Sequence, residues 1–497
     1  GPGDPGLITE KAAACIAAAD VVVYDYLASG QLLKHAGSDA ELLYVGKKGG
    51  DHTLSQEKIN SLLIEKARAG KTVARLKGGD PFIFGRGGEE IEELVAAGIG
   101  FEVVPGVTSA VAAPAYAGIP LTHRQFASCV TFITGHEDPS KTDSMINWKA
   151  IAGTGGTLVF LMGVKNLANI VERLTSAGMD KNTPAALVRW GTTPVQQTVA
   201  GTLETICADV EQAGLKAPCI IVIGDVVKLR EKMQWFENRP LFGRRIVVTR
   251  ARKQASGLVE QLSDLGAAVL EVPAIEIRPV EDLSRLDKAV KNIKDYSWLV
   301  FTSVNGVDSF FARLSASGLD ARDLGGIKTA AIGPATAARM RENGINADIV
   351  PESYRAESVV SAFENLEMSG KKVLLPRAEG ARPVLPDELS KMGAQVDEII
   401  SYRAVQGDDG GVELEQKLRA GEIDMVTFTS SSTVRNFVSL LPESEAPKLL
   451  SGVAVAAIGP VTAETAEQMG IQPTVIAEEY TIGGLVNAVK EYYKSGA

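Results

Sequence analysis

Arg75, Lys77, Asp80 and Arg86 stand within sixteen residues, RLKGGDPFIFGRGGEE (Arg75–Glu90), among five glycines, a proline and two closing acids. A core strand does not spend its positions this way. The pattern reads as a strand (Thr72–Lys77), a loop whose backbone comes close to something, and a helix opening at Gly87–Glu90. Glycine permits that approach because it lacks a Cβ, and a loop at the end of a strand is where α/β proteins bind small ligands. Asp80 could take a ribose hydroxyl or hold the loop. GPGDPG (Gly1–Gly6) is a second glycine turn, with Asp4. Neither loop fits GxGxxG after a strand, and neither contains GK[ST]. Two acids repel a polyphosphate and suit ribose hydroxyls or a sulfonium, so an adenosyl ligand fits better. PGVTSA (Pro105–Ala110) places hydroxyls at a helix start, where backbone N–H groups can take a carboxylate. Met162, in FLMG, could pack on an adenine or simply fill core.

Other candidates stand alone. Asp25 closes VVVYD and reads equally as a base or as a strand-end carboxylate capping a turn. Lys47, beside Lys48, reads as a solvated pair. Arg75, Arg86 and Arg124 suit substrate carboxylates, which guanidinium meets bidentately. Farther on, FTS, IGP(A/V)TA and FTSSS place Thr302, Ser303, Thr336, Ser430 and Thr462 where strands give way to helices. Each of Ser303, Thr336, Ser430 and Thr462 taken singly reads as a helix cap. Recurrence at matching places favours a shared ligand cleft, although duplication would copy caps as well.

These residues need an α/β scaffold. At 497 residues the chain is long enough for two to four domains. Strands are expected at Val21–Asp25, Thr72–Lys77, Phe101–Val104, Val130–Thr134, Thr157–Met162, Ala185–Val188 and Cys219–Ile223. Amphipathic helices lie between several of them, such as Ser55–Ala69 with Ile59, Leu62, Leu63 and Ala67 on one face. GIPLTHR (Gly118–Arg124) reads as a hinge between lobes 1–122 and 123–237. The opening turn has no strand feeding it, which leads us to expect natural residues upstream. Net charge is -10 with 45% hydrophobic residues. That balance argues against a nucleic-acid platform, and no apolar run has membrane length. Four cysteines without a CxxC pair suggest a reducing cytoplasm. The four histidines show no metal spacing, so no metal is expected.

The remainder carries an internal repeat. WLVFTSVNGVDSFFARL (Trp298–Leu314) matches MVTFTSSSTVRNFVSLL (Met425–Leu441), and AAIGPATAARMRENGI (Ala330–Ile345) matches AAIGPVTAETAEQMGI (Ala456–Ile471). The same offset of 127 residues relates Phe301 to Phe428 and GRRIVVTRA (Gly243–Ala251) to GKKVLLPRA (Gly370–Ala378). AIEIRPV (Ala274–Val280) and ISYRAVQ (Ile400–Gln406) alternate polar and apolar residues and suit a two-stranded connector. The repeats could form two sequential domains or cross over; if these runs pair, the chain crosses over, and 243–277 with 407–497 forms one lobe and 281–399 the other.

GPGDPG, VVVYD, VGKKGG, RLKGGDPFIFGRGGEE, PGVTSA and GIPLTHR resemble the tetrapyrrole methylases, and within them uroporphyrinogen-III C-methyltransferase, over residues 1 to about 236. The resemblance implies two α/β lobes with S-adenosylmethionine between them, and a homodimer through this half. Carried over, Pro2, Gly78, Gly79, Asp80, Ile83, Thr108, Ser109, Met162 and Gly191 line the cofactor site, Asp25 is the proton acceptor and Lys47 the proton donor. Region 243–489, through FTSxNGV (Phe301–Val307), IGPATA, SYRAV and TIGGLV, resembles uroporphyrinogen-III synthase. That family implies a two-lobed, cofactor-free fold with crossed connectivity, which cyclises hydroxymethylbilane with inversion of its last ring. Tyr402 matches the tyrosine that assists loss of the hydroxyl, although it also reads as a strand aromatic packing on the connector. The expectation is therefore a cytoplasmic bifunctional enzyme acting on small tetrapyrroles, with neither nucleic acid nor membrane as partner. The alternative is a methylase joined to a non-catalytic tetrapyrrole-binding module.

Overall fold

The computed structural model describes residues 1–46, 54–136, 145–249, 252–272, 275–351, 356–406, 411–442 and 444–496. The chain is α/β, with four sheets among the described residues. The first is parallel, in the order Glu41–Tyr44, Val21–Tyr24, Val73–Leu76. Strand alternation explains its two faces. Val21 and Val23 pack with Ile59 and Leu63 of helix Gln56–Arg68, while Val22 packs with Ile16 of helix Glu10–Ala17. Thr9 and Ser55 cap these helices, their hydroxyls accepting from Ala12 N (3.2 Å) and Lys58 N (3.4 Å). Helices therefore cover both faces, as a parallel sheet requires.

Phe101–Val104 is not the strand its pattern suggests. Among the described residues it belongs to no sheet, and Val73–Leu76 is the sheet edge. A cavity of about 700 Å³ is lined by both Val73–Gly79 and Ile99–Val107, so no hydrogen-bond ladder joins them. Glu41–Tyr44 and Gln197–Thr202, absent from the expected strands, are edge strands. They carry many exposed side chains, Leu42 and Tyr44 among them.

The second sheet runs Val130–Thr134, Thr157–Leu161, Cys219–Ile223, Pro184–Arg189, Gln197–Thr202. Only its first pair is parallel. One face packs Leu158, Phe160, Leu187 and Ile221 against Ile170 and Leu174. The other receives Ala110 and Ala113 of helix Ser109–Tyr116. That helix precedes residue 123 yet packs on the second lobe's sheet. GIPLTHR is pinned rather than free: Ile119 is core, and a Cβ on Gly118 would lie 2.3 Å from the Met233 carbonyl oxygen. Trp235 and Phe236 return to Tyr116, with ring centroids 4.9 and 4.8 Å away.

The second half has the crossed connectivity its repeat implied. Ala268–Glu271 and Arg245–Val248 continue into Met425–Phe428, Ala454–Ala457 and Val475–Ile476. Buried Thr249 and Thr427 tie this sheet across more than 170 residues of chain, each hydroxyl donating to a carbonyl of the other segment (2.9 and 3.0 Å). The fourth sheet runs Ile275–Pro279, Gln395–Gln406, Lys372–Ala378, Trp298–Phe301, Lys328–Ala331. The connector strands pair antiparallel, Ile275 opposite Gln406. Ile275–Pro279 thereby joins the Trp298 sheet, and the sheet boundary falls before Ile275. Repetition reaches the backbone: Ser303 and Ser430 both cap from extended conformations after matching strands.

Candidate active sites

Loops of the first half pack closely on one another and on a neighbouring helix. A Cβ on Gly78 would lie 2.6 Å from the Leu27 carbonyl oxygen, one on Gly106 2.7 Å from that of Gly79, and one on Gly191 2.3 Å from the Ala113 Cβ. Gly79 sits at φ +100°, a conformation closed to most side chains. Asp80 ties two loops together, Oδ1 accepting from Phe82 N (2.8 Å) and Oδ2 from Gly106 N (3.1 Å). Asp4 accepts from Gly6 N (2.7 Å) and from the Tyr116 hydroxyl (2.6 Å). Of the two uses open to these acids, holding the loop is the one seen. Thr192 completes the clamp: its hydroxyl accepts from the N–H groups of Gly3 (2.7 Å) and Asp4 (2.9 Å). Thr192, Trp190 and Met162 all have positive φ, and Met162 is exposed. Such strain in non-glycine residues gathers at functional sites. Pro2 and Ile83 are half-buried nearby in sequence to the clamped loops, and Thr108 caps the helix that begins at Ser109, accepting from Ala110 N (3.3 Å). Exposed Tyr26, Leu27, Phe82 and Phe84 add apolar surface that loop patterns do not announce.

A chain of charges runs beside these loops. Asp25 accepts from Leu27 N at Oδ1 (3.0 Å), a turn cap, and from Arg75 Nη2 at Oδ2 (3.0 Å). Arg75 Nε reaches Glu90 Oε1 at 3.3 Å, and Lys77 Nζ reaches the same oxygen at 2.7 Å, as does Gln56 Nε2 at 3.1 Å. Glu90 is 5% exposed. Burial, with Arg75 alongside, holds the Lys77 ammonium below its ordinary range. Such a hub is stable only because its partners are present; removing one from a buried pair costs about 3–5 kcal/mol. Arg75 and Lys77 thus hold the loop and Asp25. Arg86 is exposed and paired bidentately with its neighbour Glu89 (2.6 and 3.0 Å among the contacts), and Arg124 is exposed in a turn. Lys47 lies outside the described residues. Within Arg75–Glu90 every cation is thus paired with a carboxylate, which suits an uncharged or cationic ligand and disfavours a polyphosphate.

In the second half Thr302, Ser303 and Tyr402 come together. The Ser303 and Tyr402 hydroxyls are hydrogen-bonded at 2.8 Å, and Ser303 also accepts from Gly306 N (3.0 Å) as helix cap. Burial raises the Tyr402 phenol above its ordinary range, against the lowering influence of Ser303, Asn305 and Arg377. Ser430 is a cap in a reciprocal capping box with Thr433. Thr336 and Thr462 are not caps. Gly333 and Gly459 hold those positions, and the threonines lie within their helices at 4% and 5% exposure. The pattern IGPxTA misleads because proline takes the first helical position and shifts the cap back to glycine. Arg377 and Arg382, which sequence reading passed over, line a pocket of about 280 Å³ with Thr302 and Tyr402. Among the described residues no cluster of His, Cys, Asp and Glu could hold a metal, and no helix is long and apolar enough to cross a membrane.

Comparison with known proteins divides the chain at the same place. The model of tetrapyrrole (corrin/porphyrin) methylases matches residues 1–207, and that of uroporphyrinogen-III synthase HemD matches residues 256–487. A porphyrin biosynthesis protein HemD from Ruminiclostridium josui is 40% identical over 99% of this chain and 96% of its own. A uroporphyrinogen-III C-methyltransferase from Bacillus subtilis (strain 168) is 40% identical over 74% of this chain and 76% of its own. An S-adenosyl-L-methionine-dependent uroporphyrinogen III methyltransferase from Methanosarcina barkeri is 53% identical, covering 46% of this chain and 91% of its own.

Proposed function

We infer that this chain, which belongs to the family of porphyrin biosynthesis proteins joining a tetrapyrrole methylase to a uroporphyrinogen-III synthase, performs two consecutive steps. Its second half closes hydroxymethylbilane to uroporphyrinogen III with inversion of the last ring. Its first half then methylates that product twice, giving precorrin-2. The observation that carries this reading for the first half is the part-buried Asp25–Arg75–Glu90–Lys77 chain beside the clamped glycine loops.

When bound, S-adenosylmethionine supplies an electrophilic methyl group on a sulfonium. The loops around Gly78–Asp80 and Thr108, with Pro2, Ile83, Ser109, Met162 and Gly191, would hold it. A pyrrole carbon is electron-rich and needs little activation, so most of the acceleration comes from orientation, worth about 7–11 kcal/mol. Asp25, fixed by Arg75, accepts the proton released from the substrate carbon at its carboxylate. Lys47 is the proton donor in the same reading. Arg86 and Arg124, both exposed, meet substrate carboxylates. In the second half Tyr402, kept protonated by burial, donates its phenolic proton to the departing hydroxyl, which leaves as water as the C–O bond breaks. Thr302 and Ser303, beside Tyr402, serve as substrate contacts, whereas Thr336 and Thr462 are buried within their helices and Ser430 caps one. The reading also carries a homodimer through the first half, which sedimentation equilibrium would check.

Incubation of the chain with hydroxymethylbilane, with and without S-adenosylmethionine, tests both steps by chromatography and absorbance. The expected products are uroporphyrinogen III without the methyl donor and its dimethylated form with it. Formation of only the uninverted isomer refutes the second half's role. Unmethylated uroporphyrinogen III in the presence of the donor refutes the first's.

A further inference from the structure

The 280 Å³ pocket of the second half lies where parallel strands end. Thr302 follows Trp298–Phe301, Ile332 follows Lys328–Ala331, and Arg377 and Ala378 close Lys372–Ala378. Ligands of parallel sheets bind at that edge. The volume is below the 300–1,000 Å³ typical of a pocket for a whole small molecule. It suits one arm of a larger ligand.

Its two arginines differ. Arg377 has a side chain 5% exposed. Nη1 donates to Glu398 Oε1 (2.7 Å) and Nη2 to the Arg382 carbonyl (2.7 Å), while Nε has no acceptor among the described residues. A buried guanidinium N–H without an acceptor is rare, because the lost hydration is not replaced. Arg382 is 71% exposed and loosely paired with Glu357 at 3.6 Å. Its main chain fixes Arg377 while its side chain stays at the rim. Tyr402 supplies a further hydroxyl on the wall.

We propose that this pocket is a carboxylate subsite, taking one acidic arm of the second half's tetrapyrrole substrate. Arg377 and Tyr402 form its wall, and Arg382 closes on the arm from the rim. Glu398 and Glu357 balance the two arginines when the arm is absent, and the incoming carboxylate displaces the weak Glu357 contact. Guanidinium suits this task because its planar fork meets a carboxylate with two donors. The proposal rests on the cyclisation reading above for the identity of the substrate.

The test uses full-length Arg382→Ala and Arg382→Lys, with Arg377→Lys as the wall variant that keeps a cation. Cyclisation kinetics are measured, together with fluorescence titration by uroporphyrin III and by its octamethyl ester. Arg382→Ala is expected to raise KM about tenfold, with the loss in KM rather than kcat, and to weaken uroporphyrin III binding by a similar factor. Arg382→Lys recovers part of both, and ester binding does not change. Retained cyclisation kcat, with an unchanged far-UV circular dichroism spectrum, reports intact folding of that half. If KM and uroporphyrin III affinity in Arg382→Ala stay within about twofold of the parent, the subsite is refuted. If the parent fails to cyclise, the reading of the half falls, while the titration still decides the subsite.

Discussion

The two halves solve the same problem, holding a proton-transfer group in place, in opposite ways. In the first, Asp25 hangs from a part-buried chain of full charges anchored on buried Glu90. In the second, Tyr402 is steadied by a neutral hydroxyl that is itself a helix cap. A charged hub is rigid but brittle, because one missing partner strands the others in low dielectric. A neutral cap is worth about 1 kcal/mol and fails gracefully. The first half should therefore break sharply and the second by degrees.

The largest expected effect is at Asp25. Asp25→Ala should slow methylation about a hundredfold or more, with cofactor affinity by calorimetry unchanged and cyclisation intact. Equal loss of affinity and rate would make Asp25 a mere turn cap. Next comes Glu90→Ala, which strands Arg75 and Lys77. We expect the first half to lose about 3–5 kcal/mol in urea unfolding, with methylation falling while cyclisation persists. A loss below about 1 kcal/mol would mean the hub is solvated, and the contrast between halves would vanish. Tyr402→Phe should slow cyclisation about tenfold to a hundredfold with little change in stability. Because burial raises the Tyr402 phenol, its acid form persists past the ordinary tyrosine range near pH 10. Wild-type cyclisation should thus show no tyrosine-dependent fall between pH 7 and about 9, and an earlier fall absent from Tyr402→Phe would contradict that. The smallest effect is Ser430→Ala, expected to cost about 1 kcal/mol as a lost cap. Cyclisation kinetics that move with it would promote Ser430 from cap to substrate contact.

What could be read in advance differs between the halves for a physical reason. RLKGGDPFIFGRGGEE is dense in glycine and charge, and such residues are placed by backbone approach, which leaves a local trace. Its closing acid Glu90 stands in the first turn of a helix and is also the buried hub, a role no local pattern marks. Thr192 carried no signal, because a threonine at positive φ that accepts two N–H groups 188 and 189 residues away is a tertiary fact. The IGPxTA repeats announced helix starts correctly but misassigned the cap, since proline moved it to Gly333 and Gly459. Phe101–Val104 has strand composition and no partner strand.

The amino-acid sequence by itself determined the α/β class, the two-part chain, the internal repeat, and a family assignment resting on contiguous motifs. Each of these is written in local periodicity or in copied segments. Only the tertiary structure decided which charges hold and which are free: Arg75 and Lys77 bound to Glu90, Arg86 to its neighbour, Arg377 buried beside Tyr402. Pairing of side chains depends on where distant strands and loops bring them, and electrostatic strength depends on burial. Neither quantity exists until the chain has folded.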